Sequence, residues 1–189
     1  MKLLFSTIVT VALLFSTEKN ELIKKEESTV AHFTPATEAS FSYASPYYLD
    51  IDNDGIKDFS FQTVSYGENG NVKSKYLVHP MNGNQVMHVE QSAAIAEAGE
   101  VISDELPRGN VHWSADYAEI IESTFTGEAT SWFGTWSGER DQYLGIKLVK
   151  DGKTYLGWVR VQVNPQDEKA YVKEYAINRR AGEQLVTSL

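Results

Sequence analysis

The sequence predicts an all-β protein, an antiparallel β-sandwich of about seven to nine strands. From His32 onward, short apolar or aromatic runs alternate with Gly, Asn and Asp, a pattern typical of antiparallel strands joined by tight turns. Three of the breaks between runs carry the dipeptide Asp-Gly or Asn-Gly, which accepts the positive φ angles of a two-residue hairpin turn. This number of strands fits two packed sheets better than one flat sheet, and a partly open barrel is the alternative.

The clearest hairpin is predicted over residues 143–163, where the central dipeptide is Asp151-Gly152. Because side chains alternate between the two faces of a strand, folding about this turn determines which residues lie opposite each other. The register pairs Leu148 with Tyr155, Ile146 with Gly157 and Leu144 with Val159 on one face, and Gly145 with Trp158 and Tyr143 with Arg160 on the other. The first face is aliphatic in both strands, and we expect it to face the core.

Two further dipeptides predict two further turns. Asn69-Gly70 predicts a second hairpin. Its register pairs Phe61 with Val78 and Thr63 with Tyr76. Asn82-Gly83 predicts a third hairpin turn, between the strand that ends near His79 and the short apolar run at residues 86–89. Later strands are predicted at residues 119–126, 129–136 and 170–177.

Residues 93–100 are the exception to the β pattern. Their sequence, AAIAEAGE, is rich in Ala and Glu, which favour helix over strand. We therefore expect one short helical turn here, which Gly99 ends.

The N-terminus predicts export. Lys2 precedes thirteen mostly apolar residues, 3–15, so residues 1–17 are predicted to be a helical signal peptide. The run is shorter than the roughly 20 apolar residues of a membrane-spanning helix, so the processed protein is not expected to cross a membrane. Residues 18–31 are charged and predict a linker, and residues 32–189 predict a single β-sandwich domain. The expected location is outside the cell or at its surface.

Composition excludes several classes of function. The formal net charge is −9, so binding of nucleic acid through its phosphates is not expected, since that requires a basic face. The chain contains no cysteine, which excludes disulfides, a thiol nucleophile and cysteine-bound zinc. A secreted form must therefore be stabilised by its core and by any metal it binds.

The segment DIDNDGIKD, residues 50–58, predicts a calcium site. Calcium prefers six to eight oxygen ligands, and acids at alternate positions of a tight loop converge on one centre, while Gly55 permits the turn. The predicted ligands are the carboxylates of Asp50, Asp52, Asp54 and Asp58 with the backbone carbonyl of Ile56. Calcium bound here would have a structural role.

This loop differs from a helix-loop-helix calcium site, because Phe61 stands at the twelfth position in place of a bidentate Glu. We therefore expect the loop at the end of a strand. The alternative is an acidic turn without metal, in which Asp and Asn side chains accept hydrogen bonds from their own backbone amides. Mutual repulsion of four carboxylates in one loop favours the calcium interpretation, since a cation would neutralise them.

Tryptophans mark a second candidate site. Trp113, Trp132 and Trp136 lie in an aromatic segment, and exposed aromatic rings beside carboxylates are typical of sugar-binding surfaces. Trp132 and Trp136 are four residues apart, so in one strand both would point to the same face. The alternative is that these rings fill the sandwich core, as large aromatic side chains often do.

No catalytic residue is predicted. His32, His79, His88 and His112 have no spacing typical of a metal site or a catalytic triad. The segment GTWSG at residues 134–138 differs from the G-x-S-x-G nucleophile motif, because its serine is one position late. Pairs of acids such as Glu119 and Glu122 are common in any acidic protein and do not define a glycosidase.

Several segments together resemble a family of uncharacterised secreted bacterial β-rich proteins, some of which carry a C-terminal sorting tail of the PEP-CTERM type. The resembling segments are residues 52–59 (DNDGIKDF), 94–102, 143–146 and 155–161 (YLGWVRV), followed by 173–176. The resemblance covers roughly residues 48–185 and implies export and a β-rich domain without a known activity. No apolar sorting helix follows residue 176, so anchoring by such a tail is not expected.

The sequence as a whole predicts a secreted, calcium-stabilised, non-catalytic β-sandwich that binds a partner or builds structure outside the cell. A surface glycan or another surface protein is the expected kind of partner. The alternative is a carbohydrate-binding module or a glycan-active enzyme that uses Trp113, Trp132 and Trp136. A structural subunit or adhesin that assembles through its strand edges is a third interpretation.

Overall fold

The computed structural model describes residues 28–137 and 142–187, and in these ranges every regular element is a β-strand. The prediction of an all-β protein is therefore confirmed. The strands are β1 (Val30–Phe33), β2 (Ala39–Phe41), β3 (Tyr47–Leu49), β4 (Phe59–Glu68), β5 (Asn71–Pro80), β6 (Gln85–Val89), β7 (Ser92–Ala93), β8 (Ile95–Ala96), β9 (Val101–Ile102), β10 (Val111–Ser114), β11 (Ala118–Phe125), β12 (Thr130–Phe133), β13 (Gln142–Lys150), β14 (Lys153–Asn164), β15 (Lys169–Asn178) and β16 (Leu185–Val186).

Fourteen of the described strands form one sheet, in the order β1-β15-β14-β13-β6-β7-β11-β5-β4-β3. Four short strands pair alongside this path, namely β10 with β6, β12 with β11, β2 with β15 and β8 with β13. Strands β9 and β16 form a separate two-stranded sheet. Pairing is antiparallel except between β11 and β7.

The main core lies between two halves of the large sheet, one built around β13–β15 and the other around β4, β5 and β11. Phe41 of β2, which pairs with β15, contacts Phe61 of β4 and Tyr76 of β5, with ring centroids 5.4 and 6.1 Å apart. An isolated bridge between Tyr43 and Thr63 joins the two halves at the sheet margin. The predicted face-to-face packing thus arises within one continuous sheet.

A second, smaller core covers the other face of β13 and β14. Trp158 is fully buried there, and Tyr143 meets it edge to face with ring centroids 5.2 Å apart. Opposite Trp158, Gly145 has no side chain, and Met87 occupies the space that a Cβ would need. These two strands are therefore buried on both faces.

The two clearest hairpins have the predicted register. Leu148 pairs with Tyr155 about Asp151-Gly152, and Phe61 pairs with Val78 about Asn69-Gly70. Asp151 and Asn69 have φ angles of 52° and 51°, as two-residue turns of this type require.

The third predicted hairpin is wrong in its pairing. Asn82 and Gly83 form the expected turn, with φ angles of 57° and 82°. However, β5 pairs with β4 and β11, whereas β6 pairs with β13, β10 and β7. The turn therefore carries the chain from one half of the sheet to the other.

The predicted strand count and helical turn are also wrong. The described residues hold sixteen strands in place of seven to nine, because several are only two residues long and leave no detectable alternation in the sequence. Residues 92–93 and 95–96 are strands β7 and β8. Ala93, Ala94 and Ala96 are almost completely buried, so the packing of small side chains overrides their helix propensity.

The described part of the chain begins within the predicted linker, residues 18–31. Strand β1 starts at Val30 and pairs with β15, so the last residues of that segment belong to the fold. The predicted signal peptide, residues 1–17, lies outside the described residues. In the described ranges, no helix has the length and apolarity needed to span a membrane.

Burial of His88 on β6 is expected to make the stability of the fold depend on pH. The ring is buried and its Nε2–H donates a hydrogen bond to the carbonyl oxygen of Asp116 at 3.2 Å. Burial lowers the pKa of His88, and the nearby His112 lowers it further, although carbonyl groups of Asp116 and Glu90 oppose the shift. The unfolded chain therefore binds the proton more tightly than the folded protein, so stability is expected to fall as the pH drops through about 6.5.

Urea denaturation of the wild type and of His88→Gln, each at about pH 7.5 and at about pH 5.5, measures this loss of stability. We expect the variant to lose less stability on acidification than the wild type. His32→Gln removes an exposed histidine and is the matched control, which should lose as much stability on acidification as the wild type does. An equal loss in all three proteins would contradict the prediction.

Candidate metal centre

The acidic loop, residues 50–58, connects β3 to β4 and is anchored at both ends. Leu49, Ile51 and Phe59 are buried in the main core, and the Asp58 N–H donates to the Leu49 carbonyl at 2.8 Å. Between these anchors the chain turns sharply at Gly55, whose φ angle is 92°. The loop therefore projects from the end of the sheet on a rigid base, at a strand end as predicted.

Three of the predicted ligands come together. Asp50, Asp52 and Asp58 each offer a carboxylate oxygen, and these oxygens lie within 4.8 Å of one another. Two oxygens that each contact one calcium ion at about 2.4 Å are no more than about 4.8 Å apart, so the spacing suits a shared cation. In the described ranges, no other group of three or more His, Asp or Glu side chains has metal-ligand spacing.

Asp58 is the buried member of this cluster, with 5% of its surface exposed. One carboxylate oxygen accepts a hydrogen bond from the Ile51 N–H at 2.8 Å, and the other accepts from Asn84 Nδ2 at 3.3 Å. Burial raises the pKa of Asp58, and the charges of Asp52 and Asp50 raise it further, while both hydrogen bonds oppose the rise. A cation at this point would favour the ionised form.

Backbone amides of the loop donate to its own carboxylates. Asp50 accepts from the N–H groups of Asp54 and Gly55 at 3.0 and 2.8 Å, and Asp52 accepts from Asp54 at 3.2 Å. Asp54 accepts from the N–H of Ile56 at 2.8 Å. These are the hydrogen bonds expected of an acidic turn without metal. Because an ionised carboxylate has about four acceptor positions, they orient the acids and leave further lone pairs.

Lys150, at the end of β13, is a cation next to the loop. Its ammonium donates hydrogen bonds to Asp52 and to Asp54, the latter at 2.7 Å. These bonds raise the pKa of Lys150 above its ordinary value and lower the pKa of Asp54. Asp54 thus faces Lys150 and stands apart from the three converging acids.

The sequence did not identify two residues of this site, Asn84 and Lys150. Asn84 binds Asp58 through its amide nitrogen, and its amide oxygen accepts from the Val149 N–H at 2.8 Å. The side chain thereby connects the acidic loop to β13, the strand that ends in Lys150. Neither residue is near the loop in sequence, and the only local signal is the Asn82-Gly83 turn that precedes Asn84.

The three predicted sugar-binding tryptophans do not form one surface. Trp136 is 1% exposed, and its indole N–H donates to the Ala93 carbonyl at 2.8 Å inside the fold. It follows strand β12 after a turn at Gly134, whose φ angle is 128°, so the expected parity with Trp132 does not apply. Trp136 is a core residue.

Trp132 and Trp113 are half-buried in different places. Trp132 packs against the main core, with its ring centroid 5.3 Å from that of Tyr76. Trp113 packs against the smaller core, and its ring lies 4.7 Å from the ammonium of Lys147. Its indole N–H also donates to the carbonyl of Asp104 at 3.2 Å. Trp132 thus contacts another aromatic ring, and Trp113 contacts a cation and a backbone carbonyl.

The fold and this site define an all-β protein with an acidic cluster pre-oriented by its own backbone. A scan against protein-family models, a search of curated proteins and a search of solved structures each found no match.

Proposed function

We propose that the protein is a calcium-stabilised, non-catalytic β-sandwich that acts outside the cell or at its surface, as a binding or structural protein. The observation that carries this proposal is the convergence of Asp50, Asp52 and Asp58 within 4.8 Å. Oxygen-only donors suit calcium or magnesium, and calcium tolerates the irregular geometry of a loop better than magnesium does. Millimolar extracellular calcium fills even weak sites of this kind.

Calcium in this loop has a structural role. Asp58 is packed against the core and is bound by Asn84, which in turn binds the backbone of Val149 on β13. A cation shared by Asp58 and its two partner acids therefore ties the acidic loop to both halves of the sheet. Because only the folded protein brings these groups together, the metal stabilises the fold by mass action.

Export is proposed from the sequence of residues 1–17 and from the resemblance to secreted bacterial proteins. The acidic composition and the lack of cysteine agree with a domain that is held by its core and a metal instead of disulfides. A surface glycan or another surface protein is the proposed kind of partner.

Titration calorimetry of the full chain with calcium chloride tests this proposal, after treatment with a chelator. We expect saturable binding of one calcium ion, and loss of that binding in Asp50→Asn, which removes one charge from the cluster. Glu128→Gln removes an exposed acid from the turn before β12 and is the control. Wild-type protein that shows no saturable calcium binding would support the acidic turn instead.

A variant of Lys150 provides a more specific test in the same calorimetry experiment. Its ammonium repels an arriving cation and occupies acceptors on Asp52, so Lys150→Met is expected to tighten calcium binding several-fold. Lys153 stands opposite Lys150 across the same turn and is exposed, which makes Lys153→Met the matched control with little effect. Equal affinities in the two variants would mean that calcium binds away from Lys150.

A further inference from the structure

A groove of about 670 Å³ opens at the far end of β4 from the acidic loop. It lies between strands β4, β5 and β11 on one side and residues 167–169, which lead into β15, on the other. Strand β4 begins beside the acidic loop at Phe59 and reaches the groove at Ser65 and Gly67, about 20 and 26 Å further on at the usual rise per residue. The volume is within the range of small-molecule binding sites.

We propose that this groove binds a neutral oligosaccharide chain. The lining residues on which the proposal rests are Tyr43, Ser65, Ser74, Phe125, Asp167 and Glu168, and we call the site the aromatic groove. It involves none of the acidic-loop residues and none of the tryptophans, so it is independent of the calcium site.

The floor of the aromatic groove is a row of hydroxyl groups. The strand register places Ser65, Ser74 and Ser123 side by side on β4, β5 and β11. Ser65 Oγ and Ser74 Oγ are 2.7 Å apart and share a hydrogen bond. Ser65 has the same strand parity as the buried Phe61, so the face that is filled by large apolar residues in the core carries small polar ones here. Their small size opens the groove.

Exposed apolar side chains form its walls. Tyr43 is 70% exposed and Phe125 is 44% exposed, and Val72, which pairs with Phe125 across β5 and β11, is 47% exposed. Three such side chains around one concave surface are typical of a ligand site. A sugar ring has an apolar C–H face that packs on an aromatic ring, and its edge carries hydroxyl groups.

Acceptors for those hydroxyl groups are held in place at the other side of the aromatic groove. Thr130 Oγ1 donates to a carboxylate oxygen of Glu168 at 2.8 Å, and the Tyr76 hydroxyl donates to the Glu168 carbonyl at 2.7 Å. The Tyr171 hydroxyl donates to Asp167 at 2.9 Å. Each carboxylate keeps acceptor positions beyond these bonds, and bonds from ligand hydroxyls to a carboxylate are stronger than neutral ones.

Charge selects a neutral ligand. Asp167 and Glu168 line the groove and Lys169 is the one cation among its lining residues in the described chain, so an anionic ligand meets net repulsion. An extended peptide is disfavoured because β5, which carries Ser74, is already paired with β4 and β11 and offers it no free backbone edge. Aromatic walls, a hydroxyl floor and fixed carboxylates together match a neutral polyhydroxylated chain.

The test is titration of the full chain with four neutral hexasaccharides: cellohexaose, maltohexaose, laminarihexaose and xylohexaose. Hexagalacturonate is the anionic comparison and a Gly-Ser decapeptide is the peptide comparison. At least one neutral hexasaccharide is expected to bind saturably below about 1 mM, at least about tenfold more tightly than hexagalacturonate. Failure of all four, or tighter binding of hexagalacturonate or of the peptide, overturns the proposal.

Two phenylalanines provide matched variants. Phe125 lines the aromatic groove, whereas Phe133 of the neighbouring strand β12 is similarly exposed and does not line it. Phe125→Ala is expected to weaken binding at least about tenfold, and Phe133→Ala less than about twofold, with thermal stability unchanged in both. Equal losses in the two variants would mean that the sugar binds elsewhere.

A second variant tests the groove without changing Phe125. Ser74→Leu fills the floor of the aromatic groove and leaves Phe125 in place, so it is expected to weaken binding at least about tenfold as well. Each titration is run with calcium and with chelator. Sugar binding without calcium binding contradicts the metal site and leaves the groove intact, whereas calcium binding without sugar binding contradicts the groove and leaves the metal site intact.

Discussion

Replacing Gly157 with alanine is expected to lower the free energy of unfolding by about 3 kcal/mol, the upper part of the range for overpacked cores. Gly157 lies in the middle of β14, between β13 and β15. A Cβ there would lie 2.5 Å from the carbonyl oxygen of Ala176 on β15 and 2.9 Å from Cδ1 of Ile146 on β13. The carbonyl is backbone and cannot move without disturbing the strand ladder, so the sheet itself must distort.

Urea denaturation of Gly157→Ala measures this loss. Gly109→Ala is the control, because a Cβ at Gly109 meets nothing within 4 Å and the residue does not have a positive φ angle. We expect the control to change stability by less than about 0.5 kcal/mol. If both variants unfold at the same urea concentration, the close approach of β14 and β15 at Gly157 is not a constraint on the fold.

Removing calcium is expected to lower the melting temperature by about 5–10 °C. A metal present at 100 times its dissociation constant adds about 2.7 kcal/mol to folding stability, and in a protein of this size 1 kcal/mol corresponds to about 2–4 °C. The reason is that Asp50, Asp52 and Asp58 are neutralised together only when the loop is folded. This prediction depends on the proposed calcium site.

Thermal unfolding followed by circular dichroism, with calcium in excess and then with EDTA, measures the shift. Asp50→Asn should unfold at nearly the same temperature under both conditions, whereas Glu128→Gln should respond as the wild type does. Magnesium at the same concentration should give a smaller shift, because it tolerates irregular loop geometry less well. Identical wild-type melting temperatures with calcium and with EDTA would show that backbone amides and Lys150 suffice to hold the loop.

Much of the local structure could be predicted because it depends on short stretches of chain. Dipeptides such as Asp151-Gly152 readily adopt the positive φ angles of a two-residue hairpin turn, and alternation of apolar residues then sets the register of the two adjoining strands. The acidic loop is a similar case in part, since its spacing predicted that the carboxylates of Asp50, Asp52, Asp54 and Asp58 converge, and three of the four, all except Asp54, lie close together.

Other predictions depended on partners that are distant in sequence. Asn82-Gly83 forms its turn, but the turn cannot determine with which strand β6 pairs. Residues 93–100 have helix propensity, but the free energy gained by packing Ala93 and Ala96 in buried positions outweighs it. Trp136 is buried because the chain turns at Gly134 before reaching it.

The candidate sites divide in the same way. Asp58 is seven residues from Ile51, whose amide it binds, so that contact is local, but Lys150 meets Asp52 across 98 residues of sequence. The aromatic groove joins residues near position 43, on β4, β5 and β11, and near position 168. No window of sequence contains such a set.

The sequence by itself determined the strands with strong alternation, the three turns and the acids that converge, because backbone preference and side-chain periodicity act over a few residues. The tertiary structure alone decided that both faces of β13 and β14 are buried, that Lys150 reaches the acidic loop, and that small serines meet exposed aromatics in one groove. The physical reason is that these contacts follow from how two halves of one sheet pack, and that packing is an interaction among residues far apart in the chain.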